Sequence, residues 1–220
     1  MNRFSIDLPS EKIKYINKSR DNFKKLYNQM FEELSTRDIN DILKKTKSHL
    51  LDNKKINLHF FKREIIVDLN KNIIYYTGKK KSGTGEDLDK YSSSIVLHYL
   101  LNADGTPLSG SWISYRELPG GLFYWQTIPG VLEILVKKYG SSGESFLKKA
   151  LEIGGEKYTG FKFGSVIYPF KMFPVLLILD EESEEFGAGA RVLFDRSAAH
   201  YLKTYVVKLI VIYTVNKLCS

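Results

Sequence analysis

The stretch that decides the fold reads Ser94-Ile-Val-Leu-His-Tyr-Leu-Leu-Asn-Ala-Asp-Gly-Thr-Pro-Leu-Ser-Gly-Ser-Trp-Ile-Ser-Tyr-Arg-Glu-Leu-Pro-Gly-Gly121. A second stretch of the same character reads Glu185-Phe-Gly-Ala-Gly-Ala-Arg-Val-Leu-Phe-Asp-Arg-Ser-Ala-Ala-His-Tyr-Leu202. We call them the first and second motif segments. Each joins an apolar element to a polar, glycine-rich turn and carries His, Arg and a carboxylate, which is typical of a binding site. Neither matches a catalytic motif of known mechanism. We expect the two segments to lie side by side around one site.

The composition is that of an ordinary globular domain. Of the 220 residues, 43% are hydrophobic and 26% are charged, which favours one domain with a substantial core. We predict a single domain over residues 1–220, with a basic helical N-terminal part (1–55) and a core (56–220). The start of the chain is polar and no run of 18 apolar residues occurs, so we expect a cytoplasmic protein without a membrane segment.

The positive charge of the chain is concentrated in its first part. Residues 1–90 hold 20 Lys and Arg against 13 Asp and Glu, whereas residues 91–220 hold 13 against 12. A basic surface can bind phosphates, but these lysines are scattered and no helix-turn-helix or zinc-finger pattern accompanies them. We therefore do not expect a nucleic-acid partner.

Hydrophobic periodicity predicts a mixture of helices and short strands. The predicted helices are Glu11–Leu34, a second one capped by Ser35 or Thr36 and ending near Lys47, Leu88–Leu101, Val131–Tyr139, Glu144–Ile153 and a segment from Ser197 onward. The predicted strands are Ile56–Phe61, Glu64–Leu69, Ile73–Thr77, Trp112–Leu118, Ser165–Phe170, Val175–Asp180 and Arg191–Asp195. Val206–Val215 is β-branched enough to leave a strand open there. No regular βαβ repetition occurs, so we expect an α+β fold with a mostly antiparallel sheet and packed helices. The loop Gly78–Glu86 lacks the phosphate-loop spacing and is interpreted as a surface loop.

Two histidines are the leading candidates for a functional role. His98 lies on the predicted buried helix of the first motif segment, and His200 follows Asp195-Arg196 in the second. A neutral imidazole in an apolar pocket can serve as an axial ligand of a tetrapyrrole metal. The alternative is a structural histidine that bonds to the backbone. No spacing typical of a zinc site is present, and we predict no simple metal site.

Arginines form the second group of candidates. Only seven of the 33 basic residues are Arg, and three of those seven, Arg116, Arg191 and Arg196, lie in the motif segments. Their guanidinium groups suit two roles: they can bind an acidic group of a ligand, or they can pair with Glu117 and Asp195. Both roles remain open at the level of sequence.

Aromatic residues and glycines complete the predicted ligand site. Trp112 and Tyr115 precede the pair Gly120 and Gly121, and glycine backbones without a Cβ allow a flat ligand to approach while aromatic rings stack on it. A core corner around a tight turn is the alternative. Tyr201, next to His200, is included among the ligand-binding candidates. We assign no catalytic residue.

The motif segments resemble a known family. The runs His98-Tyr-Leu-Leu-Asn-Ala-Asp-Gly, Trp112-Ile-Ser-Tyr-Arg-Glu-Leu-Pro-Gly-Gly and Val192-Leu-Phe-Asp-Arg-Ser-Ala-Ala-His-Tyr-Leu resemble a domain-of-unknown-function family of anaerobic bacteria and archaea. That family is described as iron–sulfur-associated, and some of its members look like neighbours of corrinoid and methyl-transfer systems. The resemblance covers roughly residues 60–205 and implies no known activity. The chain departs from the iron–sulfur description because its only cysteine is Cys219, and a cluster usually requires four thiolates. We predict no iron–sulfur cluster on this chain.

Three hypotheses of function follow. The first is a cofactor- or small-ligand-binding protein of anaerobic metabolism, which binds a corrinoid or haem through His98 or His200. The second is an enzyme for a small anionic substrate that Arg116 and Arg196 bind, with His200 oriented by Glu117 or Asp195. The third is an accessory protein that docks on a redox or methyl-transfer partner.

Overall fold

The computed structural model describes the backbone of residues 10–78 and 86–220, and the side chains of residues 23–78 and 86–220. Its helices are α1 (Ser10–Thr36), α2 (Ile39–Thr46), α3 (Lys90–Asn102), α4 (Gly121–Tyr124), α5 (Ile128–Tyr139), α6 (Gly143–Glu152) and α7 (Thr204–Cys219). Its strands are β1 (His49–Asp52), β2 (Lys55–Phe60), β3 (Arg63–Asp68), β4 (Ile73–Tyr76), β5 (Trp112–Ser114), β6 (Glu156–Tyr158), β7 (Gly164–Phe170), β8 (Phe173–Asp180) and β9 (Gly189–Asp195). Short 3₁₀ turns lie at Tyr115–Glu117, Trp125–Thr127 and Arg196–His200.

The strands form two antiparallel sheets. The first is a meander in the order β1-β2-β3-β4, and the second has the order β5-β9-β8-β7-β6. The predicted Asn70-Lys71-Asn72 turn connects β3 to β4, and Asn72 adopts the left-handed conformation (φ 53°) that such turns require. Helices pack on both sheets around one continuous buried cluster. The α+β prediction is therefore confirmed. No helix in the described ranges has the length and apolar character needed to cross a membrane.

The strand alternative for Val206–Val215 is wrong, because this segment lies within helix α7. The buried residues Val207, Ile210, Val211 and Leu218 recur with the spacing of a helix face. β-branched residues lower helix propensity only slightly, so burial of this face against α5 decides the structure. Seven of the eight buried residues of α7 are Val, Ile or Thr, which explains why β-branching was a misleading signal.

Element ends differ from the sequence prediction where a side chain caps the backbone. The cap of α2 is Asp38 rather than Ser35 or Thr36, since its carboxylate accepts the Asn40 N–H at 2.9 Å. β5 ends at Ser114 rather than Leu118, because the Glu117 carboxylate accepts the Ser114 N–H at 2.7 Å and holds a 3₁₀ turn. The short elements β1, β6 and α4 were not predicted. The lysine and glycine runs at 79–85 lie outside the described residues.

Gly121 is required by the packing of the turn that follows β5. A Cβ at this position would lie 2.0 Å from the carbonyl oxygen of Tyr115 and 3.1 Å from that of Arg116. Backbone atoms cannot move aside as a flexible side chain can, so Gly121→Ala should destabilise the fold by about 2 kcal/mol. Gly130→Ala is the matched control, since a Cβ there meets nothing within 4 Å and alanine favours the helix by about 0.5 kcal/mol. Urea unfolding measures both; equal stabilities would contradict this account of Gly121.

Candidate functional site

The two motif segments pair as neighbouring antiparallel strands. β5 opposes the last three residues of β9, with Trp112 opposite Asp195, Ile113 opposite Phe194 and Ser114 opposite Leu193. The predicted proximity of the two segments is thus confirmed. Sequence patterning could predict both strands, and the pairing joins residues about 80 positions apart.

Asp195 is the main connection between the segments. Its side chain is buried, with 2% of the residue exposed. One carboxylate oxygen accepts the N–H and the hydroxyl of Ser109, each at 3.0 Å, and the N–H of Ser197 at 2.9 Å; the other accepts the Gly110 N–H at 2.8 Å. Burial raises the pKa of Asp195, but these donors outweigh it and hold the pKa below its ordinary value. The carboxylate is therefore fully used in fixing the turn 104–110, without an arginine partner among the described residues.

Further cross-connections fix the rest of the turn. The Arg196 N–H donates to the Ser111 carbonyl at 2.9 Å, and the Asp104 N–H donates to the His200 carbonyl at 3.1 Å. The hydroxyl of the buried Tyr201 donates to the Thr106 carbonyl. The side chains of Asp195 and Tyr201 thus both bond to backbone groups of the first motif segment.

His200 is oriented by Asp104, and not by Glu117 or Asp195 as the enzyme hypothesis expected. His200 Nδ1 lies 2.7 Å from Asp104 Oδ2, and the two side chains are 49% and 51% exposed. Burial is the largest single influence on the pKa of Asp104 and raises it, but the hydrogen bonds from Thr106 and His200 together outweigh burial and lower this pKa to about 2. Asp104 is followed by Gly105 with φ 87°. In the sequence, Asp104-Gly105 indicates a turn, and this pattern gave no sign that the Asp104 carboxylate also contacts His200.

His98 lies in different surroundings from His200. It is half-buried on α3, and its ring meets the Tyr205 ring edge-on with centroids 5.6 Å apart. Burial, assisted by the positive charge of Lys203, lowers the pKa of His98, which favours the neutral imidazole.

A groove of about 440 Å³ lies between α5 and the second sheet. One wall is the apolar face of α5, with Ile128, Leu132 and Val136, and the other is the β9 segment Ala190–Leu193. Near the end of β5, three more residues line the groove. Tyr115 and Arg116 belong to the predicted site, and Trp125 does not. Tyr115 is itself tied into the core, because its hydroxyl donates to the Thr204 carbonyl at 2.9 Å.

Arg116 is the charged side chain of the groove for which the described residues provide no partner. Two other charged side chains line it, and each has a partner: Glu133 accepts from Lys137 at 3.0 Å, and Arg191 makes two hydrogen bonds of 3.2 Å to the Asp180 carboxylate. The Arg116 guanidinium lies 3.4 Å from the centre of the Trp125 ring. Among the described residues no carboxylate lies within 4.0 Å of it. A stacked guanidinium keeps its hydrogen-bond donors available for a ligand.

The remaining predicted residues lie beside the groove and do not line it. Glu117 caps its own turn, and the Ser114 N–H, with a smaller contribution from the charge of Arg196, holds the pKa of Glu117 below its ordinary value. The Trp112 ring packs edge-on against Tyr158, with centroids 5.9 Å apart. Gly120 adopts the left-handed conformation (φ 71°) at the turn.

The structure thus places some of the predicted residues in the lining of the groove and others outside it. Tyr115, Arg116 and Arg191 line the groove, whereas neither predicted histidine does. The predicted set missed the helix wall, because the apolar stripe of α5 has the same sequence signature as an ordinary core helix. Trp125 was not among the predicted site residues.

The family model described as "Domain of unknown function (DUF3786)" matches residues 38–217 of the chain. The chain therefore belongs to this family, and the match extends over both sheets and the groove. No curated protein and no solved structure matches the chain.

Replacement of Asp195 should destabilise the fold strongly. Asp195→Ala removes the acceptor of the Ser109, Gly110 and Ser197 N–H groups, of which only Ser197 belongs to a buried residue, and we expect a loss of about 2 kcal/mol in the free energy of unfolding. Asp195→Asn should cost about half as much, because the amide keeps one acceptor oxygen but loses the charge. Urea unfolding with circular dichroism measures both variants. A loss in Asp195→Ala no larger than in an exposed control, Asp180→Ala, would contradict the connecting role of this carboxylate.

The Asp104–His200 pair should make the free energy of unfolding depend on pH in the acid range. The pKa of Asp104 in the fold, about 2, lies below its ordinary value of 3.8, so its contribution to stability is present above about pH 4 and is lost as the pH falls toward 2. Solvent screening at a half-exposed site keeps this contribution under about 1 kcal/mol. Asp104→Asn should therefore flatten the dependence of unfolding free energy on pH between these limits. Parallel curves for wild type and variant would argue against the pair.

Proposed function

We propose that this member of the domain-of-unknown-function family is a ligand-binding protein whose groove holds an elongated, mainly apolar ligand with an acidic group. The observation that carries the proposal is the Arg116 guanidinium, stacked on Trp125 at the end of the apolar groove and without a carboxylate partner among the described residues. A positive group beside apolar walls is complementary to an amphipathic anion.

Physical chemistry supports both halves of this ligand. The apolar walls would gain about 25 cal/mol for each Å² of apolar surface removed from water, and the groove volume lies within the ordinary range of small-molecule sites. The Trp125 ring restricts the guanidinium before any ligand arrives, which lowers the ordering cost of binding. The guanidinium fork can then meet a carboxylate or sulfonate with two hydrogen bonds.

Other hypotheses from the sequence remain predictions. A corrinoid or haem held through His98 or His200 would have its metal ligand outside the groove lining. An enzyme that uses Arg116 and Arg196 together would need a ligand that reaches beyond the groove. A role in anaerobic metabolism, beside an iron–sulfur or methyl-transfer partner, rests on the family resemblance alone. The docking hypothesis is compatible with the groove as a partner site.

Binding of anilinonaphthalene sulfonate, an aromatic anion that fluoresces in apolar surroundings, tests the proposal. We expect saturable binding at a single site. Arg116→Gln should weaken it about tenfold, because a charge-assisted hydrogen bond contributes about 1.5 kcal/mol. Val136→Trp should abolish it by filling the groove from the half-buried face of α5. Arg196→Gln is the matched control and should change the affinity by less than about twofold, since an exposed charge outside the groove is screened.

Two outcomes would overturn the groove as the site. One is the absence of saturable binding by the wild type, and the other is equal loss in Arg116→Gln and Arg196→Gln. Haem and cobalamin are added separately, with absorption spectra of the wild type, His98→Ala and His200→Ala. A saturable band shift that one histidine substitution removes, together with no effect of Val136→Trp, would favour the tetrapyrrole hypothesis over the groove.

A further inference from the structure

The groove runs along an open edge of the second sheet. β9 spans Gly189–Asp195 and is paired with β8 over its full length. On its other side β5 covers only Leu193 to Asp195. Residues 189–192 therefore have no neighbouring strand on that side.

Backbone groups of β9 point into this open edge. The Leu179 N–H donates to the Phe163 carbonyl on the β7 side at 2.9 Å, so the opposed pair Leu179 and Ala190 exchanges no hydrogen bonds. Ala190, and with it Val192, must then direct N–H and C=O away from β8. The Arg196 N–H, which has the same parity along the strand, donates on the β5 side to Ser111, in agreement with this assignment. Val192 lies opposite Tyr115, because the non-hydrogen-bonded pair Ser114 and Leu193 precedes it, so its carbonyl faces the Tyr115 N–H. The N–H and C=O of Ala190 lie beyond the end of β5 and face no neighbouring strand.

The lining of the groove shows that it lies at the edge and not over one face of the sheet. Val192 belongs to the main core face, and Leu193 to the opposite face of the sheet. Side chains of both parities line the groove nevertheless. Opposite them stands the apolar face of α5, so that a chain inserted here would have a strand edge on one side and a helix on the other.

We propose that the natural occupant of the groove is an extended peptide segment of a partner protein, which adds to β9 as a further strand and continues the line of β5. The proposal rests on the proposed function and names the ligand of the same site. The main-chain N–H and C=O of Ala190 are complementary to another backbone. Alternate side chains of the peptide would pack against Leu132 and Val136, because strand side chains alternate between faces.

Charge complementarity fixes the chemistry of one end of the peptide. Arg116 lies where β5 ends, at one limit of the open edge, and we expect it to bind an acidic side chain or the C-terminal carboxylate of the peptide. The three residues 189–191, which lie beyond Tyr115, accommodate roughly 10 Å of extended chain. The recognised segment is therefore short, with apolar residues at alternate positions and a carboxylate at the Arg116 end.

The occupant is tested with a random decapeptide display library that has free C-termini, selected on the wild type and counter-selected on Val136→Trp. Recovered sequences should show apolar residues at every second position and a terminal or penultimate carboxylate. The best peptide, synthesised with a fluorophore, should lose about tenfold in affinity with Arg116→Gln and little with Arg196→Gln. Apolar residues with helical spacing of three and four would overturn strand addition.

Backbone methylation of the same peptide isolates the main-chain contacts. Two versions carry N-methyl groups on alternate residues of opposite parity. One should lose at least about tenfold in affinity, since its N–H donors face β9, and the other should bind nearly as the parent does. Equal affinities of the two versions would overturn the proposal while leaving the groove itself intact.

Ala190→Pro removes the edge N–H within the protein. Proline is tolerated at a strand edge whose N–H faces away from the sheet, and thermal unfolding verifies the fold. The variant should weaken the peptide about tenfold, a larger loss than for anilinonaphthalene sulfonate, which needs no N–H donor from β9.

Two outcomes would assign the groove to a different occupant. Saturable binding of the anion without any selectable peptide would show that the occupant is a small molecule, and would overturn the peptide proposal alone. A dimer in sedimentation experiments that Ala190→Pro dissociates would assign the edge to a second copy of the chain.

Discussion

The buried carboxylate of Asp195 is the interaction on which the site depends. It stands at the end of β9 and collects the N–H groups of Ser109, Gly110 and Ser197. These donors belong to two turns that otherwise have little regular structure, and buried N–H groups without an acceptor are costly. Because the acceptor and its donors lie about 85 residues apart in sequence, closing this contact brings the first motif segment onto the second. Asp195 is also the β9 residue opposite Trp112, so the carboxylate contacts and the β5–β9 register agree.

The shortness of β5 follows from the same local chemistry. Glu117 accepts the Ser114 N–H and turns the chain into a 3₁₀ turn after three strand residues. Gly121 then lets the chain pass against the carbonyl of Tyr115. The turn places Arg116 on Trp125 and leads directly into α5. Because this capped turn ends β5 early, part of β9 has no neighbouring strand on that side. The same turn places the Arg116 guanidinium beside this edge.

An exposed sheet edge invites uncontrolled pairing, and proteins usually cover or charge such edges. Here α5 stands beside the edge, so that access is confined to a chain narrow enough to enter the groove. Arg191, paired with Asp180, and Glu133, paired with Lys137, line the same groove. Charged groups of this kind discourage flat edge-to-edge contact, whereas a single extended segment can still enter.

The amino-acid sequence by itself determined the α+β class, most helices and strands, and the two segments that carry the site, because hydrophobic periodicity and turn residues act locally. It did not determine the path of Val206–Val215, where burial of one helix face overrides β propensity. Nor did the sequence distinguish residues that line the groove from residues that stabilise its surroundings. Arg116 and Asp195 were both predicted to bind a ligand, although only Arg116 lines the groove. Tertiary structure decided this, because a carboxylate acts as a structural acceptor or an arginine as an open donor according to partners from distant segments. The open edge of β9 likewise depends on where β5 stops, and only the assembled sheet shows which backbone groups are left without a partner strand.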